Sequence, residues 1–146
     1  MKMNKKGVTL LELIVVFVII AIGALLVVPN MGAWLPNYRL RSATRDITST
    51  LRTAQMKAVS NNLNYQVSFA GDTYVLQRNS GGVWVDEGAT QTLPTGINIQ
   101  SNTFAGGVAL FRPNSSSNGG TIVLRNTKNT TRTITVLLST GRISTQ

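Results

Sequence analysis

Cysteine and histidine are both absent from this chain of 146 residues. Their absence excludes disulfide staples, thiol catalysis, Cys/His zinc sites and any Ser-His-Asp triad. A small domain outside the cytoplasm often uses disulfides; this one must be held by packing alone. Acids are also scarce, five Asp and Glu against 14 Lys and Arg. Asp86 and Glu87 are adjacent, so on a strand they would point to opposite faces. Asp46 and Asp72 have no acidic neighbour in sequence. Neither a paired-carboxylate site nor a calcium cage is expected from such a scatter. The glycines follow no phosphate-binding spacing. No enzymatic activity, metal or cofactor is therefore expected.

What is plentiful is positive charge. The formal net charge is +9. Lys2, Lys5 and Lys6 precede Gly7, and the chain after Gly7 carries eleven Arg and Lys against five acids, about +6. Such an excess suits acidic partners, nucleic acid or anionic lipid, or it is a solvated basic surface.

The other abundance is an unbroken apolar run. From Leu13 to Val28 every residue is apolar or Gly. Counted from Thr9 it is about 20 residues, or roughly 30 Å of helix, which matches a bilayer core. Lysines precede it and no basic residue follows until Arg39. The positive-inside rule then places the N-terminus in the cytoplasm and the rest of the chain across the membrane. A secretory signal would have a shorter apolar stretch with its cleavage site after it. Here the Lys-Lys-Gly junction stands before the run, so a cut after Gly7 would remove the charges and keep the anchor.

Glu12 interrupts the start of that run. An acid in an apolar membrane helix costs up to a few kcal/mol and is by default a functional candidate. A cut after Gly7 would free the amine of Val8. A neighbouring subunit's Val8 ammonium could then pair with Glu12 in a low-dielectric setting and set the axial stagger between subunits.

Gly7-Val8-Thr9-Leu10-Leu11-Glu12, the basic leader before it, the apolar run and Pro29 resemble the type III signal of type IV pilins and type II secretion pseudopilins. Val8 stands where that family usually has Phe. The resemblance implies a prepilin peptidase that cuts Gly7–Val8 and N-methylates Val8. It also implies a role for Glu12 in filament assembly and a helix break at Pro29. The partners it implies are other pilins or pseudopilins in a filament, the peptidase, an inner-membrane assembly platform and, before assembly, the lipid bilayer. A plain single-pass protein with an uncleaved anchor is the competing reading of the residues.

Beyond the anchor, Pro29, Gly32, Pro36 and Asn37 mark a hinge or melted stretch. Trp34 and Tyr38 fit either an interfacial belt or packing against the head. Leu40, Ala43, Ile47, Leu51, Ala54 and Ala58 then recur at the spacing of an amphipathic helix, and a stripe this rich in Ala suggests close approach to a sheet. Arg41, Arg45 and Arg52 fall within about 40° of one another on a different face. They either keep an exposed helix soluble or contact membrane phosphates or acidic neighbours. Ser60-Asn61-Asn62 ends the helix.

After Asn62 the period changes to two. Residues 64–78 read as a hairpin turning at Gly71-Asp72. Strands follow at Val83–Val85, around Ile97 and Ile99, at Val108–Phe111, at Thr121–Arg125 and at Arg132–Leu138, with a short segment at Ile143. The stretch Asn114–Gly120 reads as a low-complexity loop, either mobile and involved in contacts or only an exposed connection. The expected fold class is α+β, a pilin fold with a long N-terminal transmembrane helix packed on an antiparallel β-sheet head. The expected organisation is a leader (1–7), a transmembrane or filament-core helix (8–28), a hinge and amphipathic helix (29–62) and a β-rich head (63–146).

The runs L-R-T-A-Q-M-K-A-V, N-Y-Q-V-S-F, A-L-F-R-P-N, I-V-L-R-N and I-T-V-L-L-S-T-G-R-I are similar to the GspH/FimT group of minor pilins and pseudopilins. The C-terminal acids with which major pseudopilins bind calcium are lacking. The resemblance implies a minor subunit of a type II secretion pseudopilus or a type IV pilus, anchored singly in the bacterial inner membrane with a periplasmic head and then incorporated into a filament. Group members implicated in natural transformation are thought to bind DNA through Gly-Arg-x-Arg. Gly141, Arg142 and Ile143 match that pattern, and Ser144 replaces the second Arg. Two readings stay open: DNA or anion contact by Arg125, Lys128, Arg132 and Arg142, or Gly141 in a turn with Arg142 merely exposed.

Overall fold

A computed structural model describes residues 8–27 and 31–146. The chain divides into two compact units, Met1–Leu35 and Pro36–Gln146. The first contains helix α1 (Leu10–Val27). Thr9 starts it: its Oγ1 accepts the backbone N–H of Glu12 at 3.3 Å and its carbonyl accepts the N–H of Leu13 at 3.2 Å. A Thr with a Glu three residues later is a capping-box sequence at a helix start.

Helix α2 spans Met31–Asn61. It is continuous through Pro36, which corrects the expectation that this residue interrupts the helix. Proline costs one i→i−4 bond and crowds the carbonyl of Gly32, about 3 kcal/mol in a helix interior. The apolar stripe that follows outweighs that local penalty. Leu40, Ala43, Ile47, Leu51, Ala54 and Ala58 are all buried, as the spacing predicts. Thr44 and Thr48 flank the stripe and are buried too; their hydroxyls donate to the carbonyls of Leu40 and Thr44, each at 2.7 Å. The helix ends at Asn62, whose φ of 52° is a left-handed stop that Asn tolerates.

The rest of the second unit is β1 (Tyr65–Ala70), β2 (Thr73–Ser80), β3 (Val83–Asp86), β4 (Gln91–Thr92), β5 (Ile97–Asn102), β6 (Val108–Phe111), β7 (Gly120–Asn126), β8 (Thr131–Val136) and β9 (Ile143–Thr145). They form two antiparallel sheets. One has the order β3-β2-β1-β6 with β4 beside β2, and the other β5-β7-β8-β9. Pairing of Val67 with Leu76 and Ala109, and of Tyr65 with Phe111, lines one face of the first sheet with apolar residues. Ile122 opposite Ile134 does the same in the second. These residues join the α2 stripe in one buried cluster.

The sequence period shows every strand but β4, whose two residues are too few to carry a period, and it does not show the split into two sheets. That split depends on β6 returning to β1 rather than pairing with β5. The last long strand stops at Val136, short of the expected Leu138, because the chain there turns to Ser117. Ser117 is buried, its N–H donates to Leu138 O at 3.0 Å and its Oγ to Leu137 O at 2.9 Å. The Asn114–Gly120 stretch is thus more than an exposed connection: Ser117 also bridges to Phe111 and so ties the two sheets together.

Candidate functional site

In the first unit the described site residues are Val8 and Glu12; Gly7 and Pro29 lie outside the described residues. Both Val8 and Glu12 are exposed, and so are Leu13, Ile14, Val15 and Val16, which at about 100° per residue face successive sides of α1. A helix that is apolar all round needs lipid or other helices as its surroundings. Its 18 residues amount to about 27 Å against a hydrocarbon core of roughly 30 Å. Among the described residues no helix is long and apolar enough to cross a membrane. Glu12 sits in the first helical turn, where the exposed N–H groups favour a negative charge. That local stabilisation was missed in reading the sequence, although the Thr9-x-x-Glu12 spacing signals it.

In the second unit the four basic candidates do not form one patch. Arg125 pairs with Thr131 across β7 and β8 and shares the outer face of that sheet. Lys128 is in the turn between the two strands, where its N–H donates to Asn126 Oδ1 at 2.9 Å. Arg132 pairs with Leu124, which puts it on the core-facing side of β8 at the sheet margin. Arg142 is exposed, and its carbonyl accepts the N–H of Leu137 at 3.0 Å. It therefore lies five residues of extended chain, about 16 Å, from Arg132. Arg132 instead joins Arg41, Arg45 and Arg52 around an open groove. Gly141 has a φ of +60° and is packed against the Ser115 carbonyl and Gln55, so its turn admits no side chain.

One ion pair occurs among the described residues, between Lys57 of α2 and Glu87 after β3. The ammonium donating to the carboxylate holds Glu87 below its ordinary value, against the opposing effect of partial burial, and raises Lys57. Glu87 therefore contributes stability that is present above the unfolded carboxylate pKa and lost as pH falls through the lower folded value. Lys57 contributes stability present below its unfolded pKa and lost as pH rises through its higher folded value. Both side chains are partly exposed, so the pair is worth about 0.5 kcal/mol. Glu87→Gln is expected to lower the melting temperature slightly at about pH 7, with the gap from the parent closing near pH 3. Thermal melts at both pH values check this; a gap that widens in acid contradicts it.

Metal-binding clusters of three or more acids are absent among the described residues. Burial raises the Tyr74 phenol above its ordinary value, and the Asp46 carboxylate acts in the same direction.

The combination of an N-terminal helix whose described residues are exposed and, Glu12 apart, apolar with a second helix packed on two antiparallel sheets defines a pilin-like α+β subunit. Crystal structures of the type IV minor pilin FimU of Pseudomonas aeruginosa match with TM-scores of 0.60 and 0.64 at 17% and 14% identity, covering 73% and 77% of this chain and 92% of FimU in each case. The minor pseudopilin EpsH of the Vibrio cholerae type 2 secretion system matches with a TM-score of 0.64 at 8% identity, covering 74% of this chain and 96% of EpsH. Residues 2–28 match the prokaryotic N-terminal methylation motif. Residues 43–141 match the family Type II transport protein GspH, and the chain belongs to that family of minor pilins and pseudopilins. A comparison with curated proteins gives no match.

Proposed function

We propose that the chain is a minor structural subunit of a type II secretion pseudopilus or type IV pilus, made as a precursor and cut between Gly7 and Val8 by a prepilin peptidase. The observation that carries this reading is α1: an apolar helix exposed on every side, opening on Glu12, within a matched methylation motif. Before assembly it rests in the inner membrane with its N-terminus cytoplasmic and the head periplasmic. On assembly it exchanges lipid for neighbouring helices, so the apolar surface stays covered throughout. The Val8 amine, N-methylated, faces Glu12 of an adjoining subunit and offsets its desolvation. The assembly platform and the other subunits are the partners this requires.

Blocking the cut tests the processing step. Gly7→Leu is expected to leave all of the protein as precursor, read as intact mass after extraction from membranes of cells that carry the peptidase. A mature species of unchanged abundance would remove Gly7–Val8 as the site.

A further inference from the structure

The groove that receives Arg132 has a volume of about 700 Å³ and lies between α2 and the β8–β9 margin. Four guanidiniums line it, those of Arg41, Arg45, Arg52 and Arg132, with no acid among the lining residues. Other arginines are used by the fold: Arg39 donates to Thr95 O and Arg112 to Ser117 O, each at 3.0 Å. The guanidiniums of these four make neither an ion pair nor a hydrogen bond among the described residues. Asp46, next to Arg45, takes the Ser42 hydroxyl instead and lines a different groove. Clustered like charges repel one another, and an anionic partner relieves that repulsion.

The geometry selects among anions. Arg41 to Arg52 covers eleven helical residues, about 16 Å, the length of roughly five residues of extended chain. Thr145 forms part of the opposite wall, and its strand, β9, is the edge of its sheet. On β9 the bonds to β8 come from the alternate residues: Gln146 exchanges both with Thr133, at 2.9 and 3.0 Å. The N–H and C=O of Ile143 and Thr145 therefore face away from β8 as an open edge. A row of guanidiniums on one side and a free strand edge on the other suit an extended acidic polypeptide. Its backbone would pair with β9 while carboxylates on alternate residues take the arginines as bidentate partners. A single-stranded nucleic acid would use the charges but has no backbone pattern for the strand edge. A second copy of this chain is excluded by charge, since both would be strongly basic.

We infer that this groove is a docking site for an extended acidic segment of a different protein chain. The inference rests on the filament-subunit reading only for where such a partner is met. The test uses the full chain in a non-ionic detergent and a fluorescent ten-residue peptide of alternating Glu and Thr, with a thymidine oligonucleotide in a parallel titration. Arg45→Gln/Arg132→Gln is expected to weaken peptide binding about tenfold or more, and Arg125→Gln/Arg142→Gln, outside the groove, less than about twofold. Arg41→Gln/Arg52→Gln provides the same comparison should the first pair fold poorly. Absence of peptide binding, equal loss from both sets of substitutions, or tighter binding of the oligonucleotide through the same arginines would each overturn the inference. A chain that binds the peptide in this way yet is never processed at Gly7 would instead count against the filament reading alone.

Discussion

Glu12→Ala is expected to leave the protein folded and in the membrane while cutting its amount in sheared filaments or pseudopili about tenfold or more. Among the described residues Glu12 is served by the helix start: its N–H bonds to Thr9, and the helix dipole favours its charge by about 0.3–1 kcal/mol. That is too little to explain an acid in a helix otherwise apolar on every side. In the proposed filament the low dielectric between helices would magnify its attraction to a neighbour's cationic terminus. Thr9→Val separates the two roles. It removes the cap, worth about 1 kcal/mol, but keeps the carboxylate, so incorporation should fall far less than with Glu12→Ala. Immunoblots of sheared filaments against whole cells give the ratio; equal losses from the two variants would reduce Glu12 to a capping residue.

The second large effect is in the head. Gly141→Ala is expected to lower the melting temperature by roughly 10 °C, from a destabilisation of about 3 kcal/mol. A Cβ there would meet the Ser115 carbonyl at 2.4 Å and Gln55 Nε2 at 2.7 Å. The left-handed backbone adds about 1–2 kcal/mol for a residue with a side chain. The clash also displaces Gln55, whose side chain holds the Thr140 carbonyl at 3.1 Å, a bond worth about 1 kcal/mol. Arg142→Ala, at an exposed position beside it, should change stability by no more than about 0.5 kcal/mol. Melting curves of the two variants decide this; a Gly141→Ala protein as stable as the parent would mean the turn can reshape.

Much of the fold is legible from spacing. The α2 stripe and the strands follow from periods of 3.6 and two, because each marks a buried face. The two-sheet pairing is not legible, since it is decided by contacts between distant segments such as Phe111 and Tyr65. Ser117 escapes for a related reason: in a Ser/Asn/Gly run nothing local shows which hydroxyl will meet the Leu137 carbonyl. Pro36 misleads because a local rule takes no account of the packing that follows it.

Arg132 is the instructive case among the site residues. Grouped by proximity with Arg125 and Lys128, it reads as part of a C-terminal basic patch. Counted by parity with Ile134 and Val136, both buried, it falls on the core-facing side, where it meets the α2 arginines. The parity was present in the sequence; the helix opposite was not. In the anchor, Thr9, Glu12 and the apolar run are visible directly, because they are local features of one helix.

Processing before assembly is read directly from the N-terminus of this protein inside a filament. Filaments sheared from cells and digested should yield a peptide of this protein beginning at N-methylated Val8. Recovery of the protein only from membranes, still beginning at Met1, would contradict the account.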